Sequence, residues 1–184
     1  FARETGATFI HAYDDRLTVA GQGTIALEIL EDLPDVDAML IPVGGGGMIA
    51  GMAIAAKAIA PQCKVIGVQP AASPALRDSL RDGKCYEEYA AAPTICDGLA
   101  GGIGQICFDV AQKFVDDVII VGEAETRAAI RALVETEQMI VEGSGAVGVA
   151  ALIATHNLEL AARMDRVLRL EDGLLIEVSP AAVR

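Results

Sequence analysis

Tryptophan is absent from the 184-residue chain and aromatic residues reach only 4% of it, so no core can be assembled around large rings. The 53% of residues that are hydrophobic are dominated by Ala, Val, Ile and Leu, which pack as thin helices over buried aliphatic strands. That is α/β composition, and the length suits one domain, residues 1–184, with a core of its own. Positive charge is also scarce: 14 Lys and Arg stand against 26 Asp and Glu, for a net charge of -12. No basic cluster interrupts the acidic surplus, and a nucleic-acid backbone would be repelled. Cys63, Cys85, Cys96 and Cys107 are scattered, include no Cys-x-x-Cys, and lie far in sequence from His11 and His156. They form no recognisable metal or disulfide framework, and are expected to be small core or surface thiols in a reducing compartment. Charges such as Lys64 and Asp78 break each apolar stretch short of the ~20 residues of a membrane span, so no membrane partner is expected. The opening Phe1-Ala2-Arg3-Glu4 reads as the end of a helix rather than as a signal peptide. A cytoplasmic piece of a longer protein is expected.

Glycine, by contrast, is concentrated at one place. Gly44-Gly45-Gly46-Gly47-Met48 separates an apolar run of strand length, Ala38–Val43, from an apolar segment of helix length, Met48–Ile59. Without Cβ atoms the backbone can turn sharply and present several N–H groups to an anion, with the positive dipole end of the next helix at the same point. A simple turn needs one or two glycines, and each extra one costs chain entropy. Gly44, Gly45, Gly46, Gly47 and Met48 are therefore read as a phosphate cradle.

Around this loop, Thr8–His11 is expected as a short strand, Thr18–Leu33 as a helix, and Ala38–Val43 as a central strand covered on both faces. Lys64–Val68 follows as the next strand of a βαβ unit with a right-handed crossover. Ser73 is a candidate N-cap, with Pro74 at the first position of a helix reaching Leu80 and ended by Gly83. Cys85–Gly104, with Pro93 and its glycines, reads as an irregular connection. A strand at Val118–Val121, helices at Glu123–Gln138 and Ser144–Ile153, and candidate strands at Val167–Leu170 and Leu174–Val178 follow. The expected fold is an open, mostly parallel twisted sheet with helices on both faces.

Gly45-x-Gly47-x-x-Ala50 satisfies a dinucleotide fingerprint, which raises an NAD-dependent oxidoreductase. The following strand, however, ends in Gln69-Pro70 instead of the acidic residue that holds a ribose hydroxyl. A nucleoside triphosphate is unsupported at this loop, because Met48-Ile49 follows Gly47 where Lys-Ser/Thr would be needed.

Several further motifs stand in register with the loop. Gly21-Gln22-Gly23-Thr24-Ile25-Ala26-Leu27-Glu28, then Pro42–Gly51, then Val65-Ile66-Gly67-Val68-Gln69-Pro70 resemble the serine racemase and threonine dehydratase family. Thr94-Ile95-Cys96-Asp97-Gly98-Leu99 and Val141-Glu142-Gly143-Ser144-Gly145-Ala146-Val147-Gly148 continue the resemblance, which runs to about Ala154. It implies the large-domain portion of the type II pyridoxal-phosphate fold, with pyridoxal 5′-phosphate as cofactor and its phosphate on the N–H groups of Gly44–Met48. It further implies that Gly98 borders the cofactor ring and leaves room for substrate. Glu142 would lie near the ring, with Ser144 and Gly145 beginning a helix beside it. The plainer reading of Glu142 is a carboxylate answering a helix dipole. Such enzymes withdraw the α-proton of a small hydroxy amino acid, such as serine or threonine, while the ring holds the charge. Loss of the β-hydroxyl then gives dehydration, and return of the proton to the other face gives racemisation.

The chain also departs from that family. The family's Schiff-base lysine belongs to a Ser-x-Lys-x-Arg-type segment, and Lys57, Lys64, Lys84 and Lys113 lie in no such segment. The Ser/Asn-Gly-Asn loop that binds the substrate carboxylate has no counterpart either. The expectation is a C-terminal half that binds cofactor, has no catalytic residue of its own and is inactive alone. It would pair with an N-terminal half or self-associate as a homo-oligomer. Gln69 stands where members with a divalent-cation site place Glu, and Ala75 lies near their second acid, so no metal is expected there. Residues 164–184 depart from the family, whose closing strand ends in Ser-Gly-Gly-Asn. Here the chain reads Leu170-Glu171-Asp172-Gly173-Leu174, and either Asp172 meets the pyridine nitrogen or the tail does not follow the family. The alternative to an enzyme part is a non-catalytic phosphate-binding or interaction half-domain, which the absent lysine favours.

Overall fold

The computed structural model describes residues 2–153, 167–171 and 174–178. Its centre is a parallel sheet of β1 (Ala38–Pro42), β2 (Lys64–Pro70) and β3 (Asp117–Val121), hydrogen-bonded in that order. Met39 pairs with Val65 across the first ladder and Val68 with Ile119 across the second. Helices occupy the connections: α1 (Ala2–Thr5) and α2 (Arg16–Asp32) precede β1, and α3 (Gly47–Ile59) links β1 to β2. Between β2 and β3 come α4 (Ala75–Asp82), a single 3-10 turn at Asp97–Leu99 and α5 (Gln105–Phe114). α6 (Glu123–Glu137) and α7 (Gly143–Ile153) follow β3. β4 (Val167–Glu171) and β5 (Leu174–Val178) form a separate antiparallel pair with Glu171 opposite Leu174. Among the described residues no helix is long and apolar enough to cross a membrane.

The strands alternate their side chains between two buried clusters, as a period of two requires. Met39, Ile41 and Val43 join Val19 of α2, Ile49 and Ala53 of α3, and Phe108 of α5 on one face. Val68 and Val121 join Ala129 of α6 and Ala146, Val147 and Ala150 of α7 on the other. The small side chains that dominate the composition are what let these helices lie close. The Gly-Gln-Gly-Thr motif shows it: a Cβ on Gly23 would sit 3.0 Å from Gly51 O, and one on Gly51 would collide with Val19 O. α2 and α3 therefore cross with their backbones in contact. Asp15 starts α2, its Oδ1 accepting from Leu17 N at 2.8 Å and Thr18 N at 3.1 Å.

Four expectations need correction. Thr8–His11 is not a strand; it is irregular and leads into the cap at Asp15. β1 lies at the edge of the parallel sheet and β2 in the middle. A continuous apolar run reports cover on both faces, which α3 and α7 provide, and says nothing of lateral position. Ser73 does not cap α4: Pro74 occupies the cap position, while the Ser73 hydroxyl donates to Gly101 O at 3.3 Å and accepts from Gly101 N at 3.1 Å. α5 has no counterpart among the expected elements. Its N-cap, Gly104, carries no side chain, and the missing acceptor comes from Asp14, whose Oδ1 takes the Ile106 N–H at 2.8 Å. Gly83 ends α4 in the left-handed conformation as expected, at φ 63°.

Candidate functional site

Open parallel sheets place ligands at the carboxyl ends of their strands. β1 runs there into Gly44–Gly47, β2 into Gln69 and Pro70, and β3 into Gly122 and Glu123. Gly46 is the N-cap of α3 at φ 94°, a conformation that costs a side-chain-bearing residue heavily, and it offers no capping side chain. Ala50 N makes the first bond of the helix, to Gly46 O at 3.0 Å. The N–H groups of Gly44 through Ile49 find no acceptor among the described residues. A row of free donors at the positive end of a helix suits a phosphate, so the residues present fit a phosphorylated ligand.

Packing explains the glycines as well. A Cβ on Gly45 would enter the Tyr13 ring, and one on Gly47 would lie 2.9 Å from Tyr13 Cβ. A Cβ on Gly46 would lie 2.8 Å from Cys107 Cβ, and Gly104 N donates to Gly45 O at 3.0 Å. Tyr13 is itself fixed, since His11 Nδ1 accepts from Asp14 N at 2.9 Å and the His11 and Tyr13 rings meet edge to face at 4.6 Å. Counting glycines thus reported two demands at once, anion access on one side and Tyr13 with α5 on the other. Cys107 is no nucleophile here. Burial first, and then the Asp14 carboxylate, push its thiol up to about 12.

The loop before Gly98 reaches the same edge. A Cβ on Gly44 would sit 3.0 Å from Gly98 O, and a Cβ on Gly98 would sit 3.0 Å from Ser144 Oγ and 3.8 Å from Glu142 Oε1. Gly44, Gly98, Glu142 and Ser144 are therefore neighbours although 100 residues separate the first from the last. Glu142 opens α7 with its carbonyl, which accepts from Gly145 N at 3.1 Å and Ala146 N at 3.2 Å. The segment leading to Gly98 is tied to Glu123, the first residue of α6. Its carboxylate accepts from the Thr94 hydroxyl, and from Ile95 N at 3.3 Å. Nothing local to Thr94 or Glu123 signals this pairing in the sequence. Gln69 is a buried strut: its Nε2 donates to Val43 O at 3.3 Å and its Oε1 accepts from Arg77 N at 3.1 Å, tying the loop's entry to α4. Asp172 lies outside the described residues. Among them no group of three or more His, Cys, Asp or Glu is placed to hold a metal ion.

A concavity of about 470 Å³ lies elsewhere, between α2, α3 and α5, with walls such as Val19, Leu27, Ile54 and Val110. None of Gly44–Met48, Gly98 or Glu142 lines it, and its few polar side chains give a ligand little to hold. The free N–H groups mark the site better than the hollow does.

Comparison with known proteins decides the family. Residues 1–170 match the model of the pyridoxal-phosphate dependent enzymes. The chain belongs to that family. L-threonine ammonia-lyase of Thermotoga maritima is 46% identical over 151 residues, covering 82% of this chain and 37% of that protein. Serine racemase of Arabidopsis thaliana is 39% identical over 152 residues, covering 83% of this chain and 46% of that protein. The solved structure of a T.th. threonine deaminase superposes with a TM-score of 0.80 at 37% identity, covering 89% of this chain and 58% of that one. Maize serine racemase gives 0.78 at 38% identity, covering 82% and 47%. This chain spans less than half the length of the curated relatives it matches. Membership makes the mixed α/β fold with its open parallel sheet the fold of pyridoxal-phosphate enzymes of type II. It also sharpens the question of the lysines. Lys57 Nζ donates to Cys63 O and to Asp116 Oδ2, both at 2.7 Å, at the end of the sheet opposite the glycine loop. Lys64 joins the same carboxylate at 3.5 Å, and Lys84 lies over the Tyr86 ring at 5.3 Å.

Proposed function

We propose that this chain is the cofactor-holding part of a pyridoxal-phosphate-dependent serine or threonine dehydratase, or of a serine racemase. The observation that carries the reading is the set of free N–H groups from Gly44 to Met48 at the start of α3, beside Gly98 and Glu142. Bound there, pyridoxal 5′-phosphate supplies a ring that can hold the negative charge developed at an amino acid's α-carbon. The chain's own residues divide the holding. Gly44–Met48 grip the phosphate through backbone donors and the dipole of α3. Gly98, without a side chain, leaves its place beside Glu142 and Ser144 open. Glu123 ties the segment leading to Gly98 through Thr94 and Ile95, and Asp172 would be a further contact if the tail follows the family. The carboxylate of Glu142 stands at the rim, where it either meets the ring or answers the α7 dipole. The substrate is a small hydroxy amino acid of the serine or threonine kind, as the names of the relatives suggest. Unpaired thiols at Cys63, Cys85, Cys96 and Cys107 suit a cytoplasmic setting.

The lysines favour a restricted form of this reading. An amine serving the cofactor must reach it while the phosphate stays in its loop, yet Lys57 and Lys64 are bonded at the other end of the sheet. The chain alone then holds cofactor without turnover, either as half of an enzyme completed by another segment or second copy, or as a non-catalytic binding module. The test is to load the 184-residue chain with pyridoxal 5′-phosphate and supply L-serine or L-threonine. Cofactor binding without 2-oxo acid formation is expected. Adding the N-terminal half of a related dehydratase should restore product if the chain is half an enzyme. Absence of cofactor binding would overturn the reading. So would 2-oxo acid from the chain alone that disappears on one Lys→Ala change.

A further inference from the structure

Among the described residues, Ser144 Oγ is the buried side-chain polar atom without a hydrogen-bond partner. The residue is 6% exposed and stands second in α7, with Oγ directed at the empty side-chain position of Gly98, 3.0 Å from it. Buried hydroxyls almost always find partners, and a serine near a helix start usually turns back to the backbone. This one does neither. The N–H groups of Gly143 and Ser144 also lack acceptors among the described residues, so the positive end of α7 opens at the same spot.

The phosphate donors lie on the other side of Gly98. Gly98 O faces Gly44, whereas its Cα faces Ser144 and Glu142. A ligand whose phosphate sits on Gly44–Met48 and whose remainder extends past Gly98 brings that remainder, not its phosphate, to Ser144. The helix end favours an electron-rich atom there, and the Glu142 carboxylate, when ionised, can only accept. The hydroxyl is thus the side-chain donor available for a lone pair.

We infer that Ser144 contacts the cofactor directly, its Oγ–H donating to an oxygen or nitrogen at the ring edge of bound pyridoxal 5′-phosphate. This rests on the cofactor-holding reading above. The test uses pyridoxine 5′-phosphate, which has the ring and phosphate but no aldehyde to react with lysines, and inorganic phosphate, which has no ring. Both are titrated calorimetrically into the 184-residue chain. Ser144→Ala should weaken pyridoxine 5′-phosphate about three- to tenfold, the worth of one hydrogen bond, and leave inorganic phosphate unchanged. Ser144→Thr keeps a hydroxyl and should recover much of the loss. The thermal midpoint of the free chain should hold or rise in Ser144→Ala, because an uncompensated hydroxyl has been removed.

Equal affinity of wild type and Ser144→Ala for pyridoxine 5′-phosphate would overturn the inference. So would a parallel loss of both ligands, which would mean that Ser144 acts on the loop. A lowered free-chain midpoint would overturn it too, by showing that the hydroxyl already serves the fold. If the wild type binds inorganic phosphate but not pyridoxine 5′-phosphate, the cofactor reading itself fails and this inference falls with it.

Discussion

Replacing Gly46 by alanine tests what the glycine loop demands. At φ 94° the position is strained for any L side chain, which costs about 1–2 kcal/mol. The new Cβ would also lie 2.8 Å from Cys107 Cβ, an atom fixed directly on the α5 backbone, with nothing flexible to move aside. Overpacking of that kind costs about 1–3 kcal/mol. The sum, about 2–5 kcal/mol, is a large share of the roughly 5–15 kcal/mol that typically separates folded from unfolded states. Urea unfolding followed by far-UV circular dichroism should show a lowered midpoint with an unchanged slope. Because the collision is with Cβ and not with sulfur, Cys107→Ala should give no relief, while Cys107→Gly should recover the overpacking part and leave the backbone strain. A Gly46→Ala cost below about 0.5 kcal/mol, or the same cost in both Cys107 backgrounds, would refute the packing argument. Any loss of phosphate binding in this variant must be judged on the folded fraction alone, since loop and fold fail together.

Asp14→Ala removes the distant cap of α5 and should cost about 1 kcal/mol in urea unfolding, whereas Asp14→Asn keeps an acceptor and should cost less. Equal effects of the two would count against capping. Burial would raise the Asp116 carboxyl above its ordinary 3.8, but the Lys57 ammonium and the Val65 N–H outweigh it and hold it lower. A carboxyl held low in the folded chain adds stability that is complete above the unfolded value and lost as pH falls through the folded one. Stability should therefore drop below about pH 4, and Asp116→Asn should flatten that limb of an acid titration. At about pH 8, near the ordinary thiol range, a disulfide reagent should label half-buried Cys85 first, with Cys63, Cys96 and Cys107 following only on unfolding. Rapid labelling of Cys107 in the native chain would contradict its raised thiol.

The sequence carried the sheet well because β1 and β2 are short aliphatic runs with abrupt ends at Pro42 and Pro70, and because α3 begins where glycine stops. It carried the neighbourhood of Gly98 and Glu142 only through resemblance, since no local pattern brings position 98 to position 142. α5 was illegible for a physical reason: its cap is supplied by Asp14, 92 positions earlier in the chain than the Ile106 N–H it accepts, and Gly104 gives no signal of its own. Tyr13 shows the same limit. Nothing in Ala12-Tyr13-Asp14 announces that a ring will lie on Gly45, so in sequence the four glycines speak for the anion alone. Ser144 lies within the Val141–Gly148 motif, yet its significance depends on a partner it lacks, which only the folded arrangement reveals.

The two ends of the parallel sheet carry opposite chemistry. At the amino end Asp116 gathers Lys57 and Lys64, closing the start of β2 against the start of β3. At the carboxyl end the charged side chains beside Gly98 are the carboxylates of Asp97, whose Oδ1 accepts from Gly98 N at 3.0 Å, and Glu142, and the donors are backbone N–H groups with the Ser144 hydroxyl. Moving Lys57 to that end would break both of its 2.7 Å bonds and leave the carboxylate on Val65 N and Lys64 alone, while α3 carries Lys57 near its C-terminus, away from the loop at its start. An arrangement of this kind can grip an anion with preorganised dipoles at little cost in reorganisation. Lys57 and Lys64, bonded at the opposite end of the sheet, bring no amine to that anion. A cofactor gripped at the glycine loop would therefore need its reactive amine from residues other than Lys57 and Lys64.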